Sequence, residues 1–221
     1  MGLAASLALI GCCACSSEHT EAPGANKLTG PATALDAKGY IHDWLILAPI
    51  HFGPDFNNEN LDKAQIPNEA NLTPREGQKQ KVTSIEGDDP KAKEVELTWK
   101  HVIAKDYFFD VNEMLGLDSS ESVGCYAVAY LDAPEEMKGI TFSLCSNDDG
   151  LIYLNGTNIY TFTGGRATEE DADKVEDVTL HKGTNVVIFK VWNESNAWTG
   201  CIRLIDKAGN PIKNVRVITP K

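Results

Sequence analysis

The most constraining feature of this chain is an eleven-residue stretch that carries two turn signals between strand-like runs. Residues 146–156 read Ser-Asn-Asp-Asp-Gly-Leu-Ile-Tyr-Leu-Asn-Gly. Asp148 and Asp149 place two carboxylates on a tight turn, and Asn155-Gly156 is a strong short signal for a β-hairpin. The stretch therefore predicts antiparallel strands that present an acidic loop.

Alternation of apolar and polar residues continues along the body of the chain. Val95 and Leu97 alternate with charged residues, as in a half-buried strand. Tyr126, Val128 and Tyr130 form one face of a later strand, and the small residues of its other face indicate close packing of sheets. About ten short strands separated by Gly, Asn, Asp and Pro turns predict an all-β, two-sheet β-sandwich with little helix.

Several segments resemble the non-catalytic jelly-roll modules of secreted bacterial proteins, namely galactose-binding-like, glycoside-hydrolase-associated and protective-antigen-like domains. These segments are residues 43–50, 146–156, 180–191 and 198–204. The first carries Ala48 where glycine is more usual in that family. The resemblance covers roughly residues 40–218 and implies a jelly-roll, galactose-binding-like fold, although such folds carry many functions.

Composition agrees with one compact domain. With 221 residues and 42% hydrophobic content, the chain can bury the core of a single sandwich, predicted over residues 37–221. A formal net charge of -12 argues against nucleic acid or an anionic membrane surface as a partner. Residues 53–89 hold few apolar residues without a sustained period, so we predict a long loop draped over the sandwich, with room for one helical turn.

The N-terminus predicts export and a lipid anchor. Residues 9–12, Leu-Ile-Gly-Cys, fit the bacterial lipobox, in which a peptidase cleaves before a diacylated cysteine, here Cys12. Residues 1–15 would form the lipoprotein signal and lipid-attachment region, and residues 16–36 a flexible tether. The pattern departs from a usual signal because the first formal charge is Glu18, which a start codon assigned too far downstream would explain.

Two alternatives exist for this terminus. Residues 1–6 match a myristoylation pattern, with Cys12, Cys13 and Cys15 as palmitoylation candidates, and the segment also fits a plain export signal. We favour the lipoprotein. The expected location is then the bacterial cell envelope, with the membrane contacted only through the lipid.

In the lectin-type relatives, two adjacent aspartates at the position of Asp148 and Asp149 bind calcium, and the ion chelates sugar hydroxyls. The resemblance thus implies a calcium site there, which Asn193, Glu194 and Asn196 on a later loop could complete. Calcium takes about six to eight oxygen ligands, and adjacent carboxylates in a turn supply two of them. The alternative is structural, because Asp and Asn in tight turns also accept hydrogen bonds from nearby backbone N–H groups.

Aromatic stacking is a second route to sugar binding, since an exposed ring can cover a pyranose face at little entropic cost. Trp198 is the best candidate for stacking, followed by Tyr160 and Phe162, and the strand patterns place the other three tryptophans in the core. The full set of predicted ligand-binding residues is Asn147, Asp148, Asp149, Arg166, Asn193, Asn196 and Trp198.

The remaining reactive residues do not predict an enzyme. The five histidines lack metal-ligand spacing, and no nucleophile elbow or phosphate-binding loop is found in the sequence. Cys125, Cys145 and Cys201 lie in strand patterns and are predicted to be small buried hydrophobes, with one disulfide among them left open.

Two functional hypotheses follow. The first is a surface-anchored, non-catalytic carbohydrate-binding module for a glycan or polysaccharide, assisted by calcium. The second is a structural or interaction subunit that docks another cell-envelope protein through a sandwich face and the loop 53–89.

Overall fold

The structure is a computed structural model that describes residues 28–53, 59–85 and 91–221. Within these ranges, antiparallel strands dominate. The strands are β1 Ala32–Ala34, β2 Asp43–His51, β3 Lys79–Ser84, β4 Lys93–Thr98, β5 Lys100–Ile103, β6 Phe109–Asp110, β7 Ser120–Ala133, β8 Met137–Asn147, β9 Asp149–Leu154, β10 Thr157–Phe162, β11 Asp173–Leu180, β12 Gly183–Asn196, β13 Thr199–Ile205 and β14 Arg216–Ile218. The helical segments are α1 Glu59–Asp62, a 3-10 turn Glu69–Asn71 and α2 Val111–Leu115. No helix in the described ranges is long and apolar enough to cross a membrane.

Two antiparallel sheets pack against each other, which confirms the predicted all-β sandwich. The larger sheet has eight strands, with the order β1-β14-β7-β12-β9-β10 and with β2 pairing with both β7 and β5. The smaller sheet has the order β11-β8-β13-β6, and β3 and β4 form a separate ribbon. The main core lies between the two sheets.

Strand β7 shows why these residues form two layers. Ala127 and Ala129 face the core between the sheets, where their small side chains leave room for Phe189 of the neighbouring strand β12. Tyr126 and Tyr130 point to the opposite face and belong to a second apolar cluster. The two faces predicted for this strand are confirmed.

The turn between β9 and β10 is also confirmed. Asn155 has a φ of 50° and Gly156 a φ of 84°. A two-residue turn that keeps both central residues in the left-handed region matches the twist of the strands that it joins. This hairpin leads the chain back along β10 towards residues 163–168.

The chain itself covers the outer face of the eight-stranded sheet. Leu61, Ile66 and Val82 pack there against the second apolar cluster. The segment 53–89, predicted as a loop, contains α1, the 3-10 turn and β3. Strand β3 was not predicted. Val82 is the one apolar residue in Lys79–Ser84, so the segment lacks the alternation of apolar and polar residues that indicates a strand.

The ordered domain extends further towards the N-terminus than predicted. Strand β1 pairs with β14, and Gly30 lies so close to Thr219 that an added Cβ atom would stand 2.1 Å from the Thr219 carbonyl oxygen. The tether predicted over residues 16–36 is therefore wrong for its last residues, because they pair with the sheet. Residues 1–27, with the lipobox and Cys12, lie outside the described residues.

Loops from several strands meet at one end of the sandwich. Strands β8 and β9 are separated there by Asp148 alone. Asn112 of α2 donates its side-chain N–H to the Asn196 carbonyl oxygen at 2.6 Å, which ties α2 to the end of β12. We call this region the acidic end and define it as residues 147–149, 164–166 and 193–196.

Candidate functional site

The acidic turn sits between the last residue of β8 and the first residue of β9. Asn147 pairs with Thr199 of β13, so it belongs to the smaller sheet. Asp149 pairs with Trp192 of β12, so it belongs to the larger sheet. Asp148 lies between them, and the peptide bond from Asn147 to Asp148 is cis. The turn thus crosses from one layer of the sandwich to the other.

Asp148 connects two neighbouring loops through its carboxylate. Its Oδ1 accepts the Arg166 backbone N–H at 2.9 Å, and its Oδ2 accepts the Glu194 backbone N–H at 2.8 Å. Hydrogen bonds from backbone N–H groups to a carboxylate are stronger than those between neutral groups. The structural role that the turn chemistry allowed for this residue is therefore the one observed.

Asp149 is in a different situation, although it is the next residue. Its side chain is fully buried. Its Oδ1 accepts the Gly164 backbone N–H at 2.6 Å, but its Oδ2 has no hydrogen-bond partner among the described residues. Burial raises the pKa of this carboxyl above its ordinary value, and the charges of Glu194 and Asp148 raise it further, against the Gly164 hydrogen bond.

Some buried acceptor oxygens on the elements of this end have no partner in the described part of the chain. Within the described residues, buried side-chain oxygens of Asn and Asp without a partner are found on Asn112, Asn147, Asp149 and Asn193. Buried polar atoms are nearly always hydrogen-bonded, so a group of exceptions needs an explanation. All four are acceptors, and what they lack is therefore a donor or a cation.

The Gly-Gly turn brings a further carboxylate close to Asp148. A Cβ atom added to Gly165 would lie 3.4 Å from an oxygen of Glu194 and 3.7 Å from Oδ1 of Asp148. Gly164 has a φ of 144°, which favours glycine. The side chain of Glu194 is exposed, so this carboxylate is the accessible acidic group beside the buried turn.

Arg166, predicted to bind ligand, makes several hydrogen bonds within the protein. Its guanidinium donates to Ser146, to the Tyr160 hydroxyl at 2.8 Å and to Asp173 at 2.5 Å. It also stacks 3.6 Å from the centre of the Phe162 ring. Arg166 therefore fixes the loop whose backbone N–H groups reach the two aspartates.

The two asparagines of β12 differ in exposure. Asn193 is buried and donates its side-chain N–H to the Ser120 carbonyl oxygen at 2.9 Å, which leaves its Oδ1 without a partner in the described part of the chain. Asn196 is exposed, has a φ of 68° and donates to the Ser195 hydroxyl at 3.1 Å. Of the pair, Asn196 is the residue that a large ligand can reach.

The prediction that Trp198 offers an exposed ring is wrong. The side chain is fully buried in the core between the sheets, and its Nε1 donates to the Val191 carbonyl oxygen at 3.2 Å. The reason is that the chain turns inwards after Asn196 to begin β13. The burial predicted for the other tryptophans is confirmed for Trp44, Trp99 and Trp192.

A groove of about 460 Å³ lies between β5 and α2, the helix that Asn112 ties to the end of β12. Ile103, Phe108 and Met114 line it with apolar surface, and Ile103 is 62% exposed. Charged side chains border these residues, including Lys105, which pairs with a carboxylate of α2, and Asp106. No sequence pattern predicts this groove, because its residues come from irregular segments around short elements.

Comparison with known proteins does not assign the chain to a family, since no protein-family model and no curated protein matches it. Among the described residues, no group of three or more His, Cys, Asp and Glu side chains is arranged to hold a metal ion. A cation at the acidic end would therefore need the amide oxygens of asparagines together with the carboxylates.

Sequence reasoning missed the residues that organise the site from the backbone. The N–H groups of Gly164 and Arg166 bind the two aspartates, and the sequence signal for them was the Gly-Gly pair itself. Glu194, predicted only as a supplementary calcium ligand, is the exposed carboxylate of the region.

Proposed function

We propose that this chain is a non-catalytic carbohydrate-binding module of the bacterial cell envelope, anchored by a lipid on Cys12, and that it binds glycan at the acidic end with the help of calcium. The observation that carries this proposal is the Oδ2 atom of Asp149, a buried carboxylate oxygen without a partner in the described residues. Such an atom favours either a retained proton or a bound cation.

Calcium fits the chemistry of the available donors. The unpartnered oxygens of Asn147, Asp149 and Asn193 are hard ligands of the kind that calcium prefers. The carboxylate of Glu194 adds a negative charge beside them. When bound, calcium supplies a positive centre that coordinates sugar hydroxyls. The negative charges that raise the pKa of Asp149 are the same charges that would favour the cation.

The glycan would be oriented by the exposed residues of the region. Glu194 and Asn196 are exposed at the end of β12, where their side chains can hydrogen-bond sugar hydroxyls. Asp148 and Arg166 would act indirectly, because the hydrogen bonds described above already engage them. The net charge of -12 favours a neutral rather than an anionic polymer.

The first test is a glycan-array screen of the purified protein in calcium and again in a chelator. We expect binding that is lost in the chelator and lost in Asp149→Asn. The matched control is Asp177→Asn, because Asp177 is 76% exposed and pairs with Lys207 on the surface. Glycan binding that survives both the chelator and Asp149→Asn would contradict the assignment to the acidic end.

A second function, docking of another envelope protein, is favoured by the groove between β5 and α2. Ile103 is one of two large exposed apolar side chains in the described ranges. The groove is bordered by Asp106, Asp110 and Glu113 against Lys105 and a histidine, so it suits an apolar segment with basic residues. The outer face of the eight-stranded sheet is less suitable, because the chain itself covers it.

The variant Ile103→Lys distinguishes the docking hypothesis from the glycan-binding hypothesis. This exposed substitution should change stability by less than about 0.5 kcal/mol. If docking is the function, cross-linking in envelopes recovers a stoichiometric protein partner that Ile103→Lys loses. If glycan binding is the function, array binding is unchanged in Ile103→Lys, and cross-linking recovers no such protein.

A further inference from the structure

Two cysteines face each other across neighbouring strands of the smaller sheet. Cys145 of β8 and Cys201 of β13 are direct partners in the antiparallel register. Directly opposed residues lie on the same face, with Cα atoms about 4.5–5.5 Å apart. That separation falls within the range of about 4.4–6.8 Å that disulfides span. The register of the two strands is therefore compatible with a disulfide between these two free cysteines.

The surroundings of the pair set it apart from the third cysteine of the domain. Cys145 and Cys201 share an apolar cluster with Tyr40 on the outer face of the smaller sheet. Cys125 lies on β7 and faces the core between the sheets. The odd number of cysteines in the domain therefore divides into one facing pair and one separate thiol.

We propose that Cys145 and Cys201 form a cross-strand disulfide when the protein folds in an oxidising compartment. The oxidant is a small disulfide of the oxidised glutathione class. The thiolate of one cysteine attacks this disulfide, forming a mixed disulfide and releasing one glutathione. The second cysteine then attacks the protein sulfur, so that one S–S bond joins the strands. A second glutathione leaves, and the two thiol protons end on the two glutathione molecules.

The bond should form during folding rather than afterwards. Burial raises the pKa of Cys201 to about 12 and also raises that of Cys145. Residues 167–169 cover the pair, since the Glu169 backbone N–H donates to the Cys145 sulfur at 3.4 Å. Few thiolates are present in the folded state, and the thiolate is the reactive form. The thiols are accessible before the sheet closes over them.

The test compares two samples of the reduced full chain. One is refolded from denaturant with oxidised and reduced glutathione, and the other is exposed to the same mixture while folded. Both are alkylated in denaturant, digested and analysed by mass spectrometry. We expect a peptide pair joined through Cys145 and Cys201 in the refolded sample, slower formation in the folded one, and alkylated Cys125 in both.

Variants and stability provide the controls. Cys125→Ser should keep the cross-link and Cys145→Ala should abolish it. The oxidised wild type should melt roughly 5–10 °C above the reduced form, because the bond closes a long loop in the unfolded chain. If refolding fails, the folded protein is incubated with the same glutathione mixture in subdenaturing urea, and the cross-linked peptide is measured in the same way. Full alkylation of both cysteines, glutathione adducts alone, or a bond to Cys125 would overturn the proposal.

Discussion

Two regions of this molecule bury charge, and they do so in opposite ways. On the outer face of the eight-stranded sheet, Lys190 is fully buried, and burial lowers its pKa. Its ammonium donates to Glu69 at 2.8 Å and to the Leu61 carbonyl oxygen at 2.6 Å. The hydroxyls of Tyr126 and Tyr153 donate to the same Glu69 carboxylate. Each charged group of this network is paired.

At the acidic end, the charges are not balanced in this way. Asp149 is buried beside Asp148 and close to the charge of Glu194, and one of its oxygens has no partner among the described residues. The guanidinium of Arg166 is nearby, but it donates hydrogen bonds to Asp173 and Tyr160. This region therefore keeps an excess of acceptors and of negative charge.

The difference separates a structural role from the binding role that we propose for the acidic end. A buried ion pair with every hydrogen bond made holds residues 59–72 on the sheet and has no capacity for a ligand. A buried carboxylate with an open oxygen is unfavourable on its own, and it becomes favourable when a cation or a proton arrives.

Glu69→Gln should be the most destabilising of these changes. It removes the counter-charge of Lys190 and leaves that ammonium buried, at a cost of about 3–5 kcal/mol in the free energy of unfolding. The measurement is chemical denaturation at neutral pH. The double variant Glu69→Leu with Lys190→Met should lose less stability than the single variant Glu69→Gln, because no unpaired charge remains. A single-variant cost below about 1 kcal/mol would show that this network is not the one that fixes residues 59–72.

Asp148→Asn should have an intermediate effect. The carboxylate accepts two backbone N–H groups, and an amide would turn its own NH2 group towards one of them. We expect a loss of about 1–3 kcal/mol from one hydrogen bond and one unsatisfied donor. Denaturation of Asp177→Asn provides the control, with a change below about 0.5 kcal/mol. Equal stabilities of the two variants would mean that Asp148 does not connect the two loops.

Asp149→Asn should change the free energy of unfolding least, at neutral pH in a chelator, although Asp149 is the direct neighbour of Asp148. The folded state keeps the Asp149 proton to a higher pH than the unfolded chain does, because the pKa of an Asp side chain in an unfolded chain is about 3.9. The folded state thus binds more protons above that pH, and the free energy of unfolding falls as pH rises to the raised pKa. The variant should lack this fall and be at least as stable as the wild type at pH 7. Stability curves against pH with the same slope for both proteins would contradict this account.

The strands were largely predictable from the sequence, and the site only in part. Alternation in β7 and the Asn155-Gly156 turn depend on local chemistry, so their predictions are confirmed. Trp198 was wrongly placed because burial depends on where the chain goes after Asn196, which no local pattern records. Lys190 stood inside an apolar run, and its partner Glu69 lies 121 residues away. Such pairing is visible only after folding.

If the open oxygen of Asp149 belongs to a cation site, as we propose, calorimetric titration of the purified protein with calcium detects that site. We predict one calcium per chain, with a dissociation constant on the order of 0.1–1 mM, as in extracellular calcium modules. We also predict that Asp149→Asn abolishes this binding and that Asp177→Asn leaves it unchanged. Absence of calcium binding by the wild type, or equal binding by Asp149→Asn, would contradict the claim.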